Sequence, residues 1–427
     1  MRSDQINNQR NIYKIVEKLS SRKFKNELTL LKTLIHDIVS HKEFEITGGR
    51  IWELNPIELS YTLKYQFGKL KKIPDGYSVN ISDHGDTFTQ LLKERTLLNY
   101  ETDELLKSMG IWLYSMTGVG EIVRTKSGKF YKYVIGFNAD SIKPQFSELL
   151  SVISSVASVH IQKLSNEAKQ NKFKKDIKKA SEIQRNLLPE HHYKFCDYSI
   201  FGICVPDSGV GGDYFDYLKY PGEEEDRLGV VIMDAASKGL SAAIQALFVS
   251  GAIRMAMGFS PKISLLLNRL NSLIFDNFPY ERFVTLVFLE LTTMSNRLVL
   301  YANAGHCQPI HYTPETDRIK FLSNTGGLLG LMKDQKFTVE NFRLHPGDVL
   351  VLYTDGITEA NDGEGNFFGE DRLCEIIRNN HHLSPQNIAY SILEDVQKFS
   401  ADSFYNDDKT LVVIKREHSS EQDKETE

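Results

Sequence analysis

The stretch HPGDVLVLYTDGITEA, residues 345–360, runs from a Pro-Gly turn through the strand-forming residues Val349 to Thr354, which lead into Asp355-Gly356. A run so uniformly apolar reads as a strand buried on both faces, which delivers the Asp355 carboxylate to a sheet edge. The pattern recurs. Leu228-Gly229-Val230-Val231-Ile232-Met233 leads to Asp234, Asp407-Asp408 immediately precede the strand Thr410-Leu411-Val412-Val413-Ile414, and Asp213 follows Gly211-Gly212. Singly, an Asp beside a Gly is an ordinary turn residue or helix cap. In a matched series that explanation weakens, because Asn or Ser would serve a turn equally well.

Carboxylates gathered at one edge repel and raise one another's pKa, so the arrangement calls for neutralising positive charge. Hard divalent cations supply it with oxygen ligands, whereas zinc or copper would call for grouped His or Cys, which the sequence does not offer. Mg²⁺ or Mn²⁺ is the expected metal.

The remaining composition sets the frame. The chain has 427 residues, 51 Lys+Arg against 56 Asp+Glu, a net charge of −5 and 41% hydrophobic residues. Those values fit two or three globular domains and exclude disorder throughout. The acidic balance argues against nucleic acid as a partner, since phosphate contact needs a Lys/Arg excess. The N-terminus lacks a signal-peptide core and no apolar run approaches the roughly 20 residues that span a bilayer, so no membrane association and a cytoplasmic location are expected. Cys196, Cys204, Cys307 and Cys374 show no CxxC pairing and read as reduced thiols.

Four zones follow along the chain: residues 1–162, a helical linker over 163–190, a third zone over 191–416, and a polar tail over 417–427 expected to be disordered. The first zone opens with Leu28, Leu30, Leu31, Leu34, Ile35 and Ile38 at helical spacing. It continues through a strand around Tyr131–Phe137 and closes on a helix after Pro144, with Phe146, Leu149, Leu150, Ile153, Val156 and Val159 on one face. This outline, through GKFYKYVIGFNADSIKPQFSELLSVISSVASVHIQ, resembles a GAF sensor domain, whose ligand stays unknown. In the linker, Phe173, Ile177, Ala180, Gln184 and Leu187 make a four-three seam, flanked by Lys174, Lys175, Lys178 and Lys179. It reads either as a two-stranded coil or as a solvated single helix.

In the third zone VGGDYFDY, MDAASKGLSAA, YANAGHCQPI, LGL, HPGDVLVLYTDGITEA, FFGEDRL and NDDKTLVVI resemble, in order and spacing, the motifs of PPM-type protein phosphatases of the bacterial SpoIIE/RsbU-like branch. The resemblance implies an α+β fold, a C-terminal αββα sandwich preceded by the GAF-like α/β domain and the helical linker. It also implies two Mn²⁺ or Mg²⁺ ions. By motif position Asp234 would bridge them, with Asp355 and Asp407 on the first ion, Asp213 on the second directly or through water, the Ala235 carbonyl as an added ligand, and Asp408 as a further metal residue. The implied reaction is hydrolysis of phosphoserine or phosphothreonine by a metal-activated water. The implied partner is a phosphorylated STAS-domain protein, and the implied assembly a homodimer through the linker helices.

Departures bear on activity. Ser237 stands where a glycine is usual, and would be strained if that turn needs a positive φ. Ala236 occupies the place of the histidine proposed as general acid in many eukaryotic relatives, and His306 is open to either a catalytic or a packing role. Lys238 is open to phosphate binding or to a place at a helix entrance. The alternative reading is therefore a phosphatase fold that has lost turnover and serves as a regulated binding scaffold; a third places small-molecule binding in the first zone.

Overall fold

The computed structural model describes residues 13–99, 108, 114–139, 144–207, 209–222, 226–293, 298–401 and 407–418. The expected polar tail lies almost wholly outside them. The chain divides into two compact units, Met1–Phe173 and Lys174–Glu427.

In the first unit, strands β1 (Gly48–Asn55), β2 (Ser60–Gly68), β3 (Ser78–Asn80), β4 (Thr96–Asn99), β5 (Tyr114–Thr125) and β6 (Gly128–Asn138) form one sheet in the order β3-β2-β1-β6-β5-β4. Helix α1 (Glu27–Val39) starts where the Asn26 side chain accepts the Thr29 N–H at 2.8 Å, an N-cap that satisfies an otherwise orphaned donor. It buries Leu30, Leu31, Leu34, Ile35 and Ile38, on the spacing read from the sequence. Together with Phe146, Leu149, Leu150 and Ile153 they cover one sheet face. Helix α2 (Gly85–Glu94) covers the other, bringing Phe88 and Leu91 against Trp52, Met116 and Val134. Val159, expected on the inner face of the closing helix, is 66% exposed; Ala157 and Ile161 hold that face instead. The order of helix, sheet and closing helix is consistent with a sensor domain but is not specific to GAF.

The expected closing helix and linker are one element, α3 (Pro144–Leu187, 44 residues). No glycine or proline interrupts it after Pro144, so neither compositional change within it breaks the hydrogen-bond ladder.

The second unit has two sheets. One, in the order β15-β12-β11-β10-β9, contains β9 (Tyr214–Lys219), β10 (Arg227–Ala235), β11 (Val284–Thr292), β12 (Leu298–Ala304) and β15 (Glu340–Arg343). The other, β14-β13-β16-β17-β8-β7, contains β7 (His192–Phe195), β8 (Tyr198–Val205), β13 (Ile310–Thr313), β14 (Arg318–Phe321), β16 (Val349–Tyr353) and β17 (Lys409–Arg416). Strand alternation explains the layers. Val230 and Ile232 of β10 meet Leu350 and Leu352 of β16 and Val412 and Ile414 of β17 between the sheets. On the outer faces Val231 and Met233 pack under α4 (Leu240–Met257) and α5 (Ile263–Asn277), while Val351 and Val413 pack under α7 (Gly369–Asn380) and α8 (Pro385–Phe399), α6 (Asp355–Thr358) being one short turn. The result is the expected αββα order. Helix α4 is long and apolar enough to match a membrane span by composition, but its Ala242, Ala246, Val249 and Ile253 belong to this core.

Candidate metal and phosphate site

Strand direction gathers the aspartates. β10 and β9 are antiparallel with Met233 opposite Tyr214, so the end of one and the start of the other place Asp234 and Asp213 side by side. β16 and β17 pair Tyr353 with Leu411, which puts Asp355 and the Asp407-Asp408 pair at one end of the second sheet. Contacts across the gap join the two ends. Thr354 Oγ1 donates to Asp213 Oδ2 at 2.7 Å and accepts the Thr410 N–H at 3.0 Å. Gly212 N–H donates to Asp408 Oδ2 at 2.8 Å, and Asp207 N–H to Asp408 Oδ1 at 2.9 Å.

The glycines here are required by proximity. A Cβ on Gly356 would lie 1.9 Å from the Asp408 carbonyl oxygen, and one on Gly211 would lie 2.1 Å from Asp408 Oδ2. Gly211-Gly212 is thus a close approach of backbone to carboxylate and not a phosphate cradle.

The electrostatics follow from burial without matching cations. Burial, then the neighbouring Asp234, holds the Asp213 carboxyl well above the usual carboxylate range. Asp234 is pushed up to about 7 by burial and then by Asp355, Asp407 and Asp408, while a hydrogen bond from Asp213 works the other way. Asp355 is raised by burial and by Glu359 and Asp407, and Asp408 by burial. The cation paired directly with the cluster among the described residues is Lys238, whose Nζ lies 2.8 Å from Asp407 Oδ2.

The open questions of the sequence resolve into geometry. His306 is buried, its Nδ1 lies 2.8 Å from Thr285 Oγ1, and burial lowers it to about 4, so the ring is neutral. Its backbone is bracketed by Asn303, whose Oδ1 accepts the His306 N–H at 2.9 Å and whose Nδ2 donates to the His306 carbonyl at 3.2 Å. The AGH segment is therefore a fastened turn. Ser237 does not carry a positive φ; that conformation, at 65°, falls on Gly239, so the condition for serine strain is not met. The Ala235 carbonyl accepts the Ser237 N–H at 2.6 Å. Burial raises the Cys307 thiol to about 12, leaving it protonated beside the acids.

Sequence reasoning missed three participants. Thr354 links the sheets through Asp213. Gln184, in the last turn of α3, donates from Nε2 to the Gly211 carbonyl at 2.7 Å and accepts the Gly211 N–H at 3.2 Å. Arg254 of α4 donates to Asp216 Oδ2 at 2.6 Å and to the Leu187 carbonyl at 2.7 Å. The pairing of a Gln on the linker seam with a Gly-Gly turn was the one signal available, and spacing alone could not connect residues so far apart.

In kind, the donor set suits a hard divalent ion: oxygen ligands only, several raised by burial and then by their mutual charge. In position, among the described residues no three His, Cys, Asp or Glu side chains stand close enough to enclose an ion. The internal partners account for that. Asp213 is turned to Thr354, Asp407 to Lys238 and Asp408 to backbone amides.

Residues 224–417 match the family model described as Stage II sporulation protein E (SpoIIE). The chain is 27% identical over 251 residues to the phosphoserine phosphatase RsbU of Bacillus subtilis, spanning 58% of this chain and 72% of that protein. It is 26% identical over 281 residues to protein IcfG of Synechocystis sp., spanning 59% of this chain and 43% of that one. Among solved structures, the SiaA-PP2C domain of Pseudomonas aeruginosa aligns with a TM-score of 0.50 at 20% identity, over 58% of this chain and 98% of that domain, a likeness of fold. Family match, relatives and layer order coincide in one stretch of the chain, and in that stretch the second unit is similar to the PPM-type protein serine/threonine phosphatases of the branch related to SpoIIE and RsbU.

Proposed function

We propose that the chain is a metal-dependent phosphatase that hydrolyses phosphoserine or phosphothreonine on a signalling protein. The observation that carries this is the pair formed by buried Asp213 and half-buried Asp234, adjacent to Asp355, Asp407 and Asp408 and short of positive charge. Asp234, Asp355 and Asp407 would hold one Mn²⁺ or Mg²⁺ and Asp213 a second, with the Ala235 carbonyl as an added donor. When bound, such ions supply an acidified water and screen the phosphoryl oxygens. The chain's own contribution is positioning: Thr354 orients Asp213, and Asp408 fixes the Gly211–Asp213 loop through its two amide contacts. Lys238, 60% exposed at its side chain, can leave Asp407 at little cost, since exposed ion pairs contribute little, and so is placed to exchange a carboxylate for a phosphate oxygen. A neutral His306 fastened in its turn is not assigned proton transfer; leaving-group protonation falls to water.

The partner we infer is a phosphorylated STAS-domain protein, in the cytoplasm, with the first unit as sensor. Homodimerisation through α3 is supported by Phe173, Ile183 and Leu187, which stand 62%, 58% and 37% exposed on it. The test is phosphate release from a phosphorylated STAS-domain protein across a Mn²⁺ titration, for the full chain and for Asp355→Asn. Release that needs Mn²⁺ and vanishes in the variant is expected; equal release by both overturns the site. A second reading, a scaffold without turnover, is favoured by the lack of three converged ligands among the described residues. Binding of the phosphoprotein with no release at any Mn²⁺ concentration selects it.

A further inference from the structure

Arg50 of β1 is 3% exposed, on the sheet face that carries Trp52, Met116 and Val134. Its Nη1 donates to Asn138 Oδ1 at 2.5 Å and its Nη2 to the Lys71 carbonyl at 3.1 Å, both neutral acceptors. Its Nε has no hydrogen-bond partner among the described residues. Among the described residues no carboxylate holds it: burial acts on the guanidinium, lowering it to about 10. A guanidinium has a planar fork of five N–H donors, and two are engaged here. Buried cations without a counter-charge are costly, and native folds retain them where something pairs with them.

Space accompanies the charge. Directly across the β1–β6 ladder from Arg50 stands Gly136, and a Cβ built there meets no atom of the described residues within 4 Å. The other glycines flanking this region are crowded; on Gly48 a Cβ would lie 2.2 Å from the Leu70 side chain. Among the described residues Gly136 therefore leaves room beside it, on the sheet face that also carries Arg50, Trp52, Met116 and Val134.

We propose that the first unit binds a small organic oxyanion, its carboxylate or phosphate head on the free edge of Arg50 and its apolar body against Trp52 and Met116 over Gly136. A planar oxyanion matches the guanidinium fork, and a charge-assisted pair out of water is the strong form of that contact. The site is independent of the aspartate cluster of the second unit, and its test can succeed or fail without reference to phosphatase activity.

The test is titration calorimetry on the full chain in EDTA with benzoate, phenylphosphonate and neutral benzamide, each at millimolar concentration. Benzoate or phenylphosphonate is expected to bind once per chain, the preference between them assigning the head group, and benzamide not at all. Arg50→Met should weaken binding ~10-fold or more, the loss expected for a hydrogen bond to a charged group. Gly136→Val, which fills the open space without touching the charge, should do the same, while Asp234→Asn should bind as the parent does. Binding of neither anion, or binding as tight as the parent's in Arg50→Met and in Gly136→Val, overturns the proposal. Should Arg50→Met fail to fold, Gly136→Val decides: retained binding refutes the site and lost binding supports it.

Discussion

Replacing Asp234 with Asn should make the metal-free protein more stable while abolishing Mn²⁺-dependent turnover. Asp234 rises on folding from 3.8 to about 7, through burial and then its acidic neighbours. A carboxyl raised in this way binds its proton more tightly in the folded than in the unfolded chain, so acid favours the folded state. Its stabilising contribution is present below the unfolded value and is lost as pH rises from 3.8 through about 7. At about 1.4 kcal/mol per pKa unit the full swing is ~4 kcal/mol, an upper bound because Asp213 shares the proton. Asn keeps the shape and removes the charge, so Asp234→Asn in EDTA should recover ~2–4 kcal/mol above the folded pKa, or roughly 5–15 °C in the unfolding midpoint of a unit this size. The assay is thermal unfolding in EDTA from acid to mildly alkaline pH, for parent and variant. The parent's midpoint should fall with pH, the variant's curve should be flatter, and saturating Mn²⁺ should restore the parent alone. A parent whose midpoint is level across that range, with a variant no more stable than it, refutes the account of the cluster.

Thr354→Val keeps the side-chain shape but leaves Asp213 and the Thr410 N–H without their partner; we expect a loss of ~1–3 kcal/mol by thermal unfolding and a lower turnover at saturating Mn²⁺. Gln184→Ala removes both contacts to Gly211 and should cost ~1–3 kcal/mol in the second unit, with turnover reduced at every Mn²⁺ concentration; unchanged unfolding and kinetics would count against a role for that contact. Cys307→Ser should leave Mn²⁺ dependence and turnover as they are, because the thiol is protonated and donates no charge to the cluster; a changed Mn²⁺ titration would contradict this.

What the sequence made legible was periodic or repeated. The helical spacing of Leu30, Leu31, Leu34, Ile35 and Ile38 marked α1, and the apolar runs ending at Asp234 and Asp355 marked the strands that converge. Each such signal lies within one element, where burial imposes a pattern on neighbours. What stayed hidden depends on pairs brought together by folding. Thr354 looks like the end of a strand until Asp213, 141 residues away, is found against its hydroxyl. Arg50 sits among strand residues of mixed character, and only the ladder shows that its neighbour is a glycine with room beside it. The change from the apolar to the lysine-rich half of α3 suggested a boundary, but composition governs which face is solvated and does not by itself end a helix.

These long-range pairs fix the position of Asp213 from three sides. Thr354 holds its carboxylate from the second sheet, Asp408 holds the preceding Gly212 amide, and Gln184 holds both the carbonyl and the N–H of Gly211. Holding both groups of one peptide residue sets orientation as well as place. The end of α3 is itself fastened, since Arg254 caps the Leu187 carbonyl while its Nε engages Asp216 two residues beyond Tyr214 on β9. Gly211 and Gly212 cannot be enlarged without driving a Cβ into Asp408 or toward Ala235, so the loop has no slack with which to absorb a shift. A displacement of the last turn of α3 must therefore move Gly211, and with it the carboxylate of Asp213 relative to Asp234. Because packed elements change between discrete arrangements, this contact is where a helix movement would be converted into a change in the acidic cluster.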